Sequence, residues 1–281
     1  MKTSNKLLIA FAAALILIPL LGMVYVSQVY YTTGNYKTDE VVKIENFSTP
    51  TKNMSSMAIT SPFESVNIAD AKGMSLNIHL INDDNFGLKI PENVKDLISA
   101  SVDANGQLQI VAKGKPNHQD YVVILIYAPS FKQLDLAQSA RLIVSAKADS
   151  LSLNVSQTEG IRFNNEIQLN KLSLFATNVG EISVNADQIK SMALNLKHSN
   201  FKSQSNSFDN LSISTSGESK IEIYGNDEND SQYTIKNLAL KTLDQTAVKI
   251  EDIKISNCSG SFSDQTKVQM PAVNLNQMYK K

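Results

Sequence analysis

From Leu134 onward, pairs of apolar residues two positions apart return at intervals near twenty residues: Leu134/Leu136, Leu151/Leu153, Leu172/Leu174, Met192/Leu194, Leu211/Ile213, Leu238/Leu240 and Ile253/Ile255. Successive spacings are 17, 21, 20, 19, 27 and 15, and the longest interval holds the polar insertion Asn226-Asp227-Glu228-Asn229-Asp230. Side chains two apart share one face of a strand but point to different sides of a helix, so helical repeats are excluded. A second pair follows in most units: Leu142/Val144, Ile161/Phe163, Ile182/Val184, Ile221/Ile223 and Val248/Ile250. One unit cannot bury such a row alone. Stacking units at about 4.8 Å aligns the rows into one core, so a period near twenty with two or three short strands per unit implies a β-solenoid. Seven units make a stack of roughly 30 Å. Gly160, Gly180 and Asn200 recur at matching places and are the expected left-handed corners.

Ahead of the repeat, apolar residues alternate with polar ones: Val66/Ile68, Leu76/Ile78/Leu80, Leu88/Ile90 and Leu108/Ile110, separated by turn-formers such as Asn82-Asp83-Asp84-Asn85 and Asn105-Gly106. This is the pattern of half-buried strands. Val122 to Tyr127 is a denser apolar strand, ended at Pro129. Residues 28–60 are polar, rich in Thr, Ser, Asn and Lys, and read as a tether.

Leu7 to Val26 is uncharged and apolar. Twenty helical residues span roughly 30 Å, the hydrocarbon thickness of a bilayer. A cleaved signal peptide would have a shorter apolar run ending in a small-x-small site. Here the small residues Ala10, Ala12, Ala13 and Ala14 lie mid-run, which favours an uncleaved anchor. Lys2 and Lys6 precede it, so the positive-inside rule puts the N-terminus in the cytoplasm. Tyr25, Tyr30 and Tyr31 fall at the expected interface. The expected organisation is a cytoplasmic tip (1–6), a transmembrane anchor (7–26), a tether (27–60), a solenoid head (61–270) and a tail (271–281).

The chemistry available is sparse. Net charge is −1, and Arg141 and Arg162 are the only arginines, so nothing draws nucleic acid. One cysteine, Cys258, makes no intramolecular disulfide and no multi-cysteine metal site. His79, His118 and His198 have no ligand spacing, and Asn226–Asp230 lacks the order of a calcium loop. No nucleophile elbow, phosphate loop or dinucleotide fingerprint is present. No cofactor, metal or catalytic residue is assigned.

The stretch from Phe63-Glu64-Ser65-Val66-Asn67-Ile68, through Gly106-Gln107-Leu108-Gln109-Ile110, to Ile126-Tyr127-Ala128-Pro129-Ser130-Phe131-Lys132-Gln133-Leu134-Asp135-Leu136 resembles the head GIN domain, described as a putative auto-transporter adhesin domain of Gram-negative bacteria. The order is alike over about residues 60–270: an opening Phe-x-x-Val strand, a Gly-x-Leu-x-Ile strand, a strand ending in Pro, then leucine-rich coils. The resemblance implies an all-β fold, a single-stranded right-handed parallel β-helix or solenoid, here behind one N-terminal transmembrane helix. It carries over no catalytic residue.

Solenoid enzymes that cleave glycans need two carboxylates about 5–10 Å apart on one face. Between the first apolar pairs lie Asp135, Ser152, Ser173, Ala193, Ser212, Ala239 and Lys254; between the second lie Ile143, Arg162, Ser183, Glu222 and Lys249. Neither row stacks two carboxylates. The five middle residues of the first row, Ser152, Ser173, Ala193, Ser212 and Ala239, form a flat face and are the candidate interaction surface, covered by another copy, a partner or the tail. The expectation is a non-catalytic binding or scaffold module in the periplasm, held by residues 7–26 in the cytoplasmic membrane. Its expected partners are envelope proteins or glycans, or a second copy. An envelope-sensing accessory is the alternative, and a carbohydrate-active enzyme the weaker one.

Overall fold

The computed structural model describes residues 3–30, 45–114, 121–184, 188–225 and 232–279. His118, Tyr31, the Asn226–Asp230 insertion, residues 31–44 of the expected tether and the ends of the chain lie outside the described residues. The chain divides into two units, Met1–Glu45 and Asn46–Lys281.

The first unit is helix α1 (Thr3–Tyr30), whose backbone runs unbroken through Pro19 and covers the whole apolar stretch. Phe11, Leu15, Ile16, Leu17, Ile18, Leu20, Leu21 and Met23 on it are exposed. Its side chains are described only in part, and among the described residues no helix is long and apolar enough to cross a membrane.

The second unit is all-β, as the alternation requires. It opens with β1 (Met54–Ala58), β2 (Ser65–Ile68), β3 (Ser75–Asn82), β4 (Gly87–Pro91), a 3-10 turn (Glu92–Leu97), β5 (Ile98–Val102), β6 (Gln107–Ala112) and β7 (Val122–Ala128). The repeat region follows as β8 (Gln133–Ala137), β9 (Arg141–Phe163), β10 (Gln168–Val184), β11 (Ile189–Lys197), β12 (Phe201–Gln204), β13 (Phe208–Ser216), β14 (Ser219–Tyr224), β15 (Thr234–Thr242), β16 (Thr246–Glu251), β17 (Lys254–Ser261) and β18 (Lys267–Gln269). The chain ends in helix α2 (Ala272–Tyr279). One parallel ladder runs β6–β2–β8–β9–β10–β11–β13–β15–β17. A second runs β7–β3–β9–β10–β12–β14–β16–β18. The long strands β9 and β10 turn a corner and serve both. Parallel pairing of segments about twenty residues apart makes a large sheet compatible with a β-solenoid.

The registers explain two anomalous spacings. Leu134 and Leu136 stack on Leu153 and Val155, not on Leu151 and Leu153. The first interval of 17 is thus a true step of 19 with the apolar pair displaced by two. At the other end Leu238 and Leu240 stack on Cys258 and Gly260, while Ile255 stacks on Ile235. Ile253/Ile255 therefore does not open the last coil, and the step there is 20. Sequence alone missed this because Cys258 and Gly260 do not read as an apolar pair.

The corners also differ from expectation. Gly160, Gly180 and Asn200 are not left-handed; instead the left-handed residues at successive corners include Gln138, Gln157, Asn178, His198 and Gly217. Side-chain type alone does not mark these positions, because chain closure around the core forces the backbone there. Gly180 is needed for close approach: a Cβ would stand 2.4 Å from the Glu159 carbonyl oxygen. Just inside the corners runs a buried column of hydroxyls. Ser139 and Thr158 share a hydrogen bond of 3.0 Å, Val179 N–H donates to Ser199 Oγ at 3.0 Å, and Ser199 N–H donates to Ser219 Oγ at 3.3 Å. The last two bonds satisfy backbone N–H groups of Val179 and Ser199, and the first pairs two buried hydroxyls with each other.

The first ladder is covered at both ends. At the N-terminal end β1–β4, β4–β7 and β5–β6 pair antiparallel, a departure from an all-parallel solenoid. Residues 46–60, expected in the tether, belong to this end: Phe47 meets the Tyr127 ring edge-on at 5.4 Å, and Met57 and Ile59 pack on the core. At the C-terminal end α2 lies against β17. Gln277 accepts from Cys258 N–H at 2.8 Å and donates to the Ser256 carbonyl at 3.2 Å. Covering a terminal strand in this way removes a template for edge pairing.

Candidate binding face

The outward residues of the first ladder fall into rows fixed by register. One row is Gln107–Ser65–Gln133–Ser152–Ser173–Ala193–Ser212–Ala239–Ser259. The five small residues singled out from sequence, Ser152, Ser173, Ala193, Ser212 and Ala239, are brought together as consecutive neighbours. Two of the expected row ends are corrected: Gln133 replaces Asp135, and Ser259 replaces Lys254. Ala193, Ser212 and Ser259 are exposed, and the tail caps β17 instead of lying over them.

Asp135 belongs to the adjacent row, Gln109–Asn67–Asp135–Asn154–Phe175–Asn195–Ser214–Lys241–Ser261. The Asp135 carboxylate accepts from Gln107 Nε2 at 2.9 Å, from Gln133 Nε2 at 2.8 Å and from Asn154 Nδ2 at 2.6 Å. Asn67 Nδ2 donates to Gln109 Oε1 at 2.6 Å, and Gln109 Nε2 donates to Asp103 at 2.7 Å. The Gln107 backbone N–H, helped by that of Asn105 and by the Gln109 amide, holds the Asp103 carboxyl below its usual range against the opposing effect of burial. Beside this network Phe175 stands 49% exposed. Asn67, Asp135, Asn154 and Phe175 wall a shallow depression of about 270 Å³ whose floor includes Ala69, Ala137 and Ser156.

The sequence pattern singles out Asp135 but not the amides or Phe175. The signal was present for Asn67, Gln109, Asn154 and Phe175, each of which sits between two apolar neighbours, as in Val66-Asn67-Ile68 and Leu174-Phe175-Ala176. Without the two-residue displacement of β8 they do not align.

The outer face of the second ladder carries the row Arg162–Ser183–Lys202–Glu222–Lys249–Gln269, with three cations against one carboxylate. It includes Lys202 and Gln269, which sequence reading omitted. Burial would raise the Glu222 carboxyl, but bonds from Tyr224 and Lys220 outweigh it and hold it below its usual range. The row therefore carries a net positive charge. Among the described residues no three His, Cys, Asp or Glu side chains converge as metal ligands.

A stacked parallel sheet with an amide-lined outer face defines the class of this chain, a β-fold that presents rows of side chains. The chain belongs to the family described as putative auto-transporter adhesin, head GIN domain, whose model matches residues 63–236. No curated protein matches it. Similar solved structures include a putative lipid binding protein from Parabacteroides distasonis, at 13% identity and TM-score 0.46, covering 74% of this chain and 85% of that one. A putative adhesin from Bacteroides fragilis has 14% identity and TM-score 0.46, covering 74% and 88%. A putative adhesin from Parabacteroides merdae has 14% identity and TM-score 0.42, covering 76% and 91%.

Proposed function

We propose that this chain is a membrane-anchored, extracytoplasmic, non-catalytic binding module of the adhesin-like type. In this reading the head is a right-handed solenoid that recognises protein or glycan through the outer face of its first ladder. The observation that carries it is the register itself. Parallel stacking sets six small residues, Ser152 to Ser259, side by side next to an amide-rich row. A flat surface of that kind lets a partner approach closely. Right-handed winding follows from the preference of parallel crossovers. The anchor is supported by the uncharged run 7–26 and by the exposed apolar side chains of α1, which are unfavourable in water. Lys2 and Lys6 favour an outward head.

The test is site-specific photocrosslinking in cells, with the probe at Ser173 or Ser212 and, as the control face, at Lys249. The reading expects the chain in the cytoplasmic-membrane fraction, with adducts from the first ladder only. A soluble, N-terminally shortened product would overturn the anchor. Equal adducts from all three positions, or none, would overturn the binding face.

A further inference from the structure

We propose that the depression between Asp135 and Phe175 is a binding site for a neutral, hydroxyl-rich glycan. This rests on the reading of the first ladder as a binding face and names its ligand class. The first argument is the direction of the amides. A carboxylate at neutral pH only accepts hydrogen bonds, so any amide bonded to it must turn its NH2 group inward. Asp135 thereby orients Asn154 and Gln133, and Asp103 orients Gln109, which in turn orients Asn67. The carbonyl oxygens Asn67 Oδ1, Gln133 Oε1 and Asn154 Oδ1 then face away with no protein donor among the described residues. They are fixed acceptors awaiting donors, which is what sugar hydroxyls supply.

The second argument is the ring. Phe175 is one of few large apolar side chains exposed on the second unit, and it lies in the same row, next to Asn154. Its negative face suits the weakly positive C–H face of a pyranose. The third argument is charge. No lining side chain is cationic, which disfavours anionic ligands, and the one lining carboxylate is already saturated by three amides. The fourth is scale. At about 270 Å³ the depression lies just below the roughly 300 Å³ lower bound of drug-sized pockets and suits one sugar ring. The row continues through Asn195 and Ser214 at about 4.8 Å per strand, close to one residue of an extended glycan, so a chain can run along the stack.

The experiment is saturation-transfer NMR and calorimetry on the full chain in a detergent without sugar headgroups. The probes are cellotetraose, maltotetraose, chitotetraose and mannotetraose, with tetragalacturonate as the anionic control. At least one neutral tetrasaccharide should bind, with the strongest transfer to ring C–H protons. Phe175→Ala should weaken it tenfold or more, about 1.4 kcal/mol, and Ser156→Arg, which fills the floor, should abolish it. Tyr224→Phe, on the other ladder, should leave it unchanged. Circular dichroism on each variant separates loss of binding from loss of fold. The proposal is overturned if none of the four neutral probes binds, if only tetragalacturonate binds, or if folded Phe175→Ala binds as well as the parent. Crosslinks from Ser173 that persist in such a case would retain the binding module and reject only its glycan ligand.

Discussion

Lys89 is wholly buried, and its ammonium meets two carbonyls and a hydroxyl: Nζ donates to the Asn46 carbonyl at 3.0 Å, the Thr49 carbonyl at 2.6 Å and Thr51 Oγ1 at 3.1 Å. It also lies 5.1 Å from the centre of the Tyr127 ring and 5.9 Å from that of Phe47. This lysine ties residues 46–51 to β4. Lys89→Met keeps the apolar stem and removes the charge. Three bonds to a charged donor, at about 1.5–3 kcal/mol each, amount to about 5–9 kcal/mol. Most of that offsets the several kcal/mol needed to strip water from the ammonium. Two carbonyls are left without their donor, and a net loss of about 2 kcal/mol remains. The loss should appear locally, because the segment can lift while the coils stay stacked. Native-state hydrogen exchange at the Phe47 amide, which donates to Asp83 at 2.8 Å, should accelerate about thirtyfold. Exchange at Ile213, deep in the repeat, should not change. Acceleration of Phe47 below about threefold, or equal acceleration at Ile213, would refute the clamp.

Three further outcomes follow from other parts of the fold. Cys258 is 6% exposed and its thiol is pushed up to about 11 by burial, so thiol reagents at pH 8 should label it only on unfolding. Gln277→Leu should speed labelling by loosening α2, and rapid labelling of the parent would contradict the cap. Gln157→Gly, at a left-handed corner with φ 53, should stabilise by about 0.5–1 kcal/mol in urea melts, whereas Gly180→Ala should destabilise by about 1–3 kcal/mol through its clash with Glu159. Reversed signs would refute the corner assignment. His79 is buried with Nδ1 unpartnered among the described residues, and burial holds its pKa below the ordinary 6.5, with Glu166 opposing. The unfolded chain then binds the proton more readily, so this stability is present above about pH 6.5 and is lost as pH falls through the folded value. His79→Gln should flatten the loss seen in urea midpoints below pH 6.5, and an unchanged slope would exclude His79 as its source.

What was legible in the sequence was whatever repeats by hydrophobicity. Each apolar pair from Leu134/Leu136 to Val248/Ile250 is buried, because alternation and the twenty-residue step both report one physical demand, a continuous core. What was illegible depends on register. A parallel strand displaced by two residues keeps its inward and outward faces, so nothing in the hydrophobic pattern distinguishes Leu134 over Leu151 from Leu134 over Leu153. Yet that displacement decides whether Asp135 meets Ser152 or Asn154, and hence whether the outer face carries an isolated acid or an oriented amide network. The same holds at corners, where Gln138 and Gln157 take a left-handed backbone that their side chains do not favour. Stacking imposes that conformation coil by coil and can do so because each corner is backed by the buried hydroxyl column. The core fixes the number of coils, and the register, set by bonds between coils, decides which polar groups converge. A binding surface on such a fold is therefore a property of neighbouring coils, and exchanging a single coil should alter recognition without altering the core.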